Sequence, residues 1–127
     1  TGCTPLLVAA QNGHEAVVKV LLEAGTDANM ADHDSDTPLH AAAQNGHEAS
    51  VKVLLEAGAD ANKASNTGFT PLQLAVHCGH LAVVEALLEA GAYVKFTRDD
   101  GVKALHVAML GGKWAILAAL QRHERSG

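Results

Sequence analysis

Three groups of residues in this chain have types and spacings that invite chemistry. Eight histidines in 127 residues suggest a metal centre, since neutral imidazole is the commonest metal ligand. Asp32-His33-Asp34-Ser35-Asp36 has the alternating acids that open a calcium loop. Gly111-Gly112-Lys113 carries the end of a phosphate-binding loop. Each fails on spacing. A calcium loop requires glycine at its sixth position and glutamate at its twelfth, where this chain has Thr37 and Ala43. The phosphate loop requires a first glycine and a closing Ser or Thr where Val107 and Trp114 stand. His77 and His80 are close in sequence, but Gly79 breaks the helix between them. No nucleophile, base and acid recur together either, so neither catalytic residues nor a metal nor a cofactor is expected.

The histidines instead reveal a period. His14, His47 and His80 are spaced by 33, as are Thr4-Pro5-Leu6, Thr37-Pro38-Leu39 and Thr70-Pro71-Leu72, with a worn copy at Lys103-Ala104-Leu105. Gly13, Gly46, Gly79 and Gly112 keep the same step, and so do Gly25, Gly58 and Gly91. Thr4 to Asn29 and Thr37 to Asn62 differ only at Leu7/His40, Val8/Ala41, Val17/Ser50 and Thr26/Ala59. A repeat of this length buries its apolar side only by stacking on a neighbour.

Within one unit the punctuation predicts a short helix, a tight turn and a longer helix. Thr37 suits an N-cap and Pro38 the first helical position, where a missing N–H costs nothing. The inner helix is predicted over about 38–45, ending at Gly46, and the outer helix over about 48–57, ending at Gly58. Val51, Leu54 and Leu55 fall on one side of the outer helix. Positions 59–69 form an extended arm and hairpin tip. Glu15/Lys19, Lys19/Glu23, Glu48/Lys52 and Lys52/Glu56 are spaced for ion pairs on a solvated face.

The bulk composition narrows the function classes. A formal charge of -5 argues against nucleic acid, whose binding rests on Lys and Arg neutralising phosphates. No apolar run approaches the roughly 20 residues of a membrane span, and Thr1 onward has no signal-peptide pattern. Cys3 and Cys78 lie two repeats apart, which at helix spacings is roughly 20 Å and too far for a disulfide. Reduced thiols suit a cytoplasmic or nuclear setting.

In TPLHAAAQNGH, its echo TPLQLAVHCGH and the endings LLEAGADAN and LLEAGAYVK, the chain resembles the ankyrin-repeat family. The resemblance implies an all-α solenoid of helix-turn-helix units with short hairpin tips. It divides the chain into a single domain over 1–127, with repeats at about 1–31, 32–64, 65–97 and 98–127. The first repeat reads as truncated, and the last as a C-terminal cap. The implied activity is non-catalytic: a monomer binding a protein or peptide on its concave face, with no nucleic acid and no membrane. The alternatives are a spacer in a longer array and an engineered binding scaffold.

Carried over residue by residue, the partner-binding tip positions are Cys3; His33, Asp34 and Asp36; Asn66, Thr67 and Phe69; and Asp99, Asp100 and Val102. On the inner helices they are Gln11, Asn12, Gln44, Asn45, His77, Cys78, Leu110 and Gly111. The acidic second tip favours a partner with a basic surface. The histidines of the TPLH and GH motifs are structural by the same resemblance. Asn29 and Asn62 resemble asparagines that are hydroxylated in some members, though a structural place in the arm is the stronger reading.

Two positions carry sharper expectations. Ser35 stands where Gly2, Gly68 and Gly101 stand in the other repeats, so a positive φ or a reshaped tip is expected there. Phe69 replaces Cys3, Asp36 and Val102 of the other tips, and a position that accepts such different residues predicts an exposed ring and a binding anchor, the alternative being a ring that lies along the neighbouring tip and steadies the arm.

Overall fold

The structure is a computed structural model and describes residues 4–66 and 68–92. Six helices follow in order: α1 (Pro5–Gln11), α2 (Glu15–Glu23), α3 (Pro38–Gln44), α4 (Glu48–Glu56), α5 (Pro71–Cys78) and α6 (Leu81–Glu89). There is no strand among the described residues. Each odd-numbered helix pairs with the helix that follows it. Helix α3 lies between α1 and α5, and α4 lies between α2 and α6, so three helix pairs stack in two layers.

The starts of the inner helices follow from the TPL motif. Thr4, Thr37 and Thr70 hold extended backbone, and each side chain accepts the N–H three residues on, from Leu7, His40 and Gln73. In the second and third repeats the bond is returned, since His40 and Gln73 accept the N–H of Thr37 and Thr70. Two otherwise orphaned donors are satisfied at each of these starts. The turn into the outer helix needs more than a left-handed residue. A Cβ on Gly46 would lie 2.7 Å from Nδ1 of His80, and one on Gly13 would lie 2.6 Å from Nδ1 of His47. The GH glycine of one repeat is thus the seat for the GH histidine of the next.

The core repeats with the sequence. Leu6, Leu39 and Leu72 are wholly buried, as are Val18, Val51 and Val84. Ala9, Ala42 and Ala75 pack beside them, small enough to let the inner helices approach closely. Burial is uneven along the stack: Val18 alone is buried on α2, against five residues on α6. Val17 and Val20 of α2 are exposed, whereas Ser50 and Val83, at the place of Val17, and Ala86, at the place of Val20, are buried. Among the described residues no helix is long and apolar enough to cross a membrane. The fourth repeat and its expected cap lie outside the described residues.

Candidate functional site

The second tip is shaped by its acids. Asp32 donates its N–H to the carbonyl of Asp36 and closes a hairpin turn. Its Oδ1 accepts the N–H of Asp34 at 2.8 Å and of Asp36 at 3.0 Å. A short carboxylate side chain folded over its own turn holds the loop in one conformation. Carboxylate oxygens of Asp32, Asp34 and Asp36 thereby gather within 4.8 Å of one another. The alternating spacing of these acids is visible in the sequence, and their convergence has an electrostatic consequence. Partial burial raises the pKa of Asp36 above its ordinary value; His40 opposes the rise, and the charges of Asp32 and Asp34 add to it.

Ser35 sits at the crest of this turn with φ 62°, the one non-glycine residue with positive φ among those described. Gly68 fills the same place in the third tip with φ 85°. The two turns share a form, and serine adopts the strained version. Its hydroxyl donates to Oδ1 of Asn66 at 2.9 Å.

Asn66 is the link between the tips. Its backbone N–H donates to the carbonyl of Asp34 at 2.9 Å, and its Nδ2 to the carbonyl of His33 at 3.3 Å. The third tip is closed by Ser65 N–H donating to the carbonyl of Phe69. Below, His40 is buried and its Nε2 lies 3.0 Å from that same carbonyl. The second and third tips are therefore one hydrogen-bonded body on a buried histidine.

The sequence-predicted positions divide within this frame. His33, Asp34 and Asn66 are exposed, with Asp36 half-buried. Gln44, Asn45, His77 and Cys78 are exposed at the C-terminal ends of α3 and α5, and Cys78 is a free thiol. Phe69 departs from expectation, because it is half-buried rather than exposed. It directly precedes the buried cap Thr70, and its backbone carbonyl is held by His40 and Ser65. Gln11 and Asn12 are exposed. Cys3, Thr67, Asp99, Asp100, Val102, Leu110 and Gly111 lie outside the described residues.

The other histidines and asparagines serve the stack. Nε2 of His47 and of His80 lies 3.0 Å from the carbonyls of Gln11 and Gln44, one repeat back in each case. Asn29 accepts the N–H of Asp60 at 2.7 Å and donates to the carbonyl of Gly58 at 3.2 Å. Asn62 reaches the carbonyl of Gly91 at 3.5 Å. The arms are thus stapled repeat to repeat. Of the four spaced charge pairs, Lys52 meets Glu48 at 2.9 Å and Lys19 meets Glu15 at 3.8 Å.

Comparison with known proteins agrees with the motifs. The family described as ankyrin repeats (3 copies) matches over residues 6–98 and again over 58–126. No match was found among curated proteins.

Proposed function

The chain belongs to the ankyrin-repeat family, and we propose that it is a non-catalytic module that binds a protein or peptide through its tips and the adjoining ends of its inner helices. Repeats of this kind generally mediate protein–protein interaction, and the family is typically non-enzymatic. The observation that carries the finer reading is the joining of the second and third tips by Asn66, which leaves His33 and Asp34 exposed on a fixed backbone. A surface held in one conformation before binding loses little conformational freedom on docking.

The partner is a protein or peptide with a basic surface. Asp32, Asp34 and Asp36 repel one another in the second tip, and a partner's Lys or Arg side chains would relieve that repulsion. The concave face carries the contact, with Gln44, Asn45, His77 and Cys78 at the exposed inner-helix ends beside the tips; Asp99, Asp100, Val102 and Leu110, outside the described residues, are proposed as further contact positions by their places in the repeat. The protein acts as a monomer, in a reducing compartment such as cytoplasm or nucleus, where the exposed thiol of Cys78 persists.

Display libraries of Lys/Arg-rich, neutral and Asp/Glu-rich peptides test this reading. The basic set should bind, weaken as salt rises, and lose at least roughly tenfold in affinity with Asp34→Lys. Preferential capture of acidic peptides, or indifference to Asp34→Lys, would overturn it.

A further inference from the structure

The first repeat presents groups that the later repeats use for bonding backward and that it leaves idle. His47 and His80 reach the inner-helix carbonyls of Gln11 and Gln44, one repeat back. His14 holds the same place in the first repeat, where it is exposed and its ring makes no hydrogen bond among the described residues. The backbone that carries the ring is already set: φ and ψ are -82° and 77° at His14, against -87° and 79° at His47 and -96° and 84° at His80. The arm shows the same pattern. Asn29 donates to the Gly58 carbonyl and accepts the Asp60 N–H. Their counterparts one repeat earlier are the Gly25 carbonyl and the Asp27 N–H, and neither is bonded among the described residues.

Between His14 and Gly25 runs α2. Its Val17 and Val20 are 48% and 63% exposed, whereas Ser50 and Val83, at the place of Val17, are 1% exposed and Ala86, at the place of Val20, is 7% exposed. A lone exposed valine means little, because apolar atoms make up much of any protein surface. Two valines on one turn of helix, flanked by an idle imidazole, an idle carbonyl and an idle N–H, form a face with a defined complement.

We propose that this face of the first repeat is a docking surface for one further helix pair of the same kind, supplied in cis through the arm connection that joins the described repeats. Continuity with the interface between those repeats specifies the occupant. It must offer His14 a carbonyl at the end of its inner helix, and Gly25 and Asp27 an arm asparagine. Beside the carbonyl it needs glycine, because a Cβ on Gly13 or Gly46 would lie 2.6 or 2.7 Å from the histidine ring that packs there. An unrelated apolar helix would cover the two valines and leave the three polar groups without their partners. Residues 1–33 of this chain carry the complement themselves, in Gln11, Gly13 and Asn29.

The test places a copy of residues 1–33 ahead of Thr1 and compares the extended chain with the original by amide hydrogen exchange. In the original chain the α2 amides should exchange at least roughly tenfold faster than those of α4, and the copy should remove most of that difference. Two variants within the copy separate docking from mere folding. Gly13→Ala should undo the protection of α2, because the added Cβ meets the incoming His14 ring. Gly25→Ala places the same residue at a second left-handed position, where a Cβ meets nothing within 4 Å, and should leave α2 protected. Unchanged α2 exchange in the extended chain, whether or not the copy folds, would overturn the proposal, as would equal effects of the two variants. Protection of α2 in the original chain that grows with its concentration would give the face to a second copy and overturn the proposal too.

Discussion

Single residues here are set by conflicts between backbone and side chain. Ser35 occupies a left-handed conformation that costs an ordinary residue about 1 kcal/mol or more, while its hydroxyl gains an exposed bond to Asn66. The strain outweighs an exposed hydrogen bond, so Ser35→Gly should stabilise the protein by up to about 1 kcal/mol in chemical denaturation. A lower midpoint would show that the bond to Asn66 is worth more than the strain costs. Gly46 and Gly58 form a second comparison, with φ of 75° and 93°. A Cβ on Gly58 meets nothing within 4 Å, whereas on Gly46 it strikes the His80 ring. Gly58→Ala should therefore cost about 1 kcal/mol from backbone strain alone. Gly46→Ala should cost at least about 1 kcal/mol more, because His80 must also give up the Gln44 carbonyl. Equal losses would mean that the histidine seat is not what selects glycine.

At the scale of the element, the helices follow the sequence closely and their burial does not. The TPL caps and the glycine stops place the inner and outer helices within a residue or so of their expected ends. What the sequence could not reveal is which substitutions fall inside the stack. Ser50 reads there as a mild polar replacement for Val17, yet it is buried on α4 and its Oγ has no hydrogen-bond partner. An unsatisfied buried hydroxyl costs about 1–3 kcal/mol. Ser50→Ala should accordingly raise the melting temperature, with a gain of about 1 kcal/mol. A loss would show that the hydroxyl is bonded after all. The tips illustrate the same limit. A period of 33 aligns Ser35 with Gly68 and forecasts the positive φ, but not that Asn66 bridges two tips. Phe69 is legible in the sequence as an odd residue, either an exposed anchor or a ring along the neighbouring tip, and its half-buried place departs from the first of these. Nor does the repeat spacing show that its backbone carbonyl is held by a histidine of the preceding repeat.

Across the described residues, the same few contacts recur between neighbours: GH histidine to inner-helix carbonyl and arm asparagine to the next arm, over a shared buried core that includes Leu6, Leu39 and Leu72. Each links a repeat only to the adjacent one, and the proposed recognition uses positions the stack does not. We assign it to the exposed tip side chains and the ends of the inner helices, whereas the outer layer shows solvated Glu–Lys pairs together with the exposed Val17 and Val20. Whether binding belongs to the tips and inner-helix ends is decided by amide chemical-shift mapping of the chain, titrated with the tightest basic peptide from the display libraries. The shifts should concentrate at His33, Asp34, Asn66 and Phe69 and at the ends of α3 and α5 around Gln44 and His77, leaving α2, α4 and α6 undisturbed. A perturbation centred on the outer helices, with the tips silent, would place recognition on the wrong side of the stack for everything proposed above.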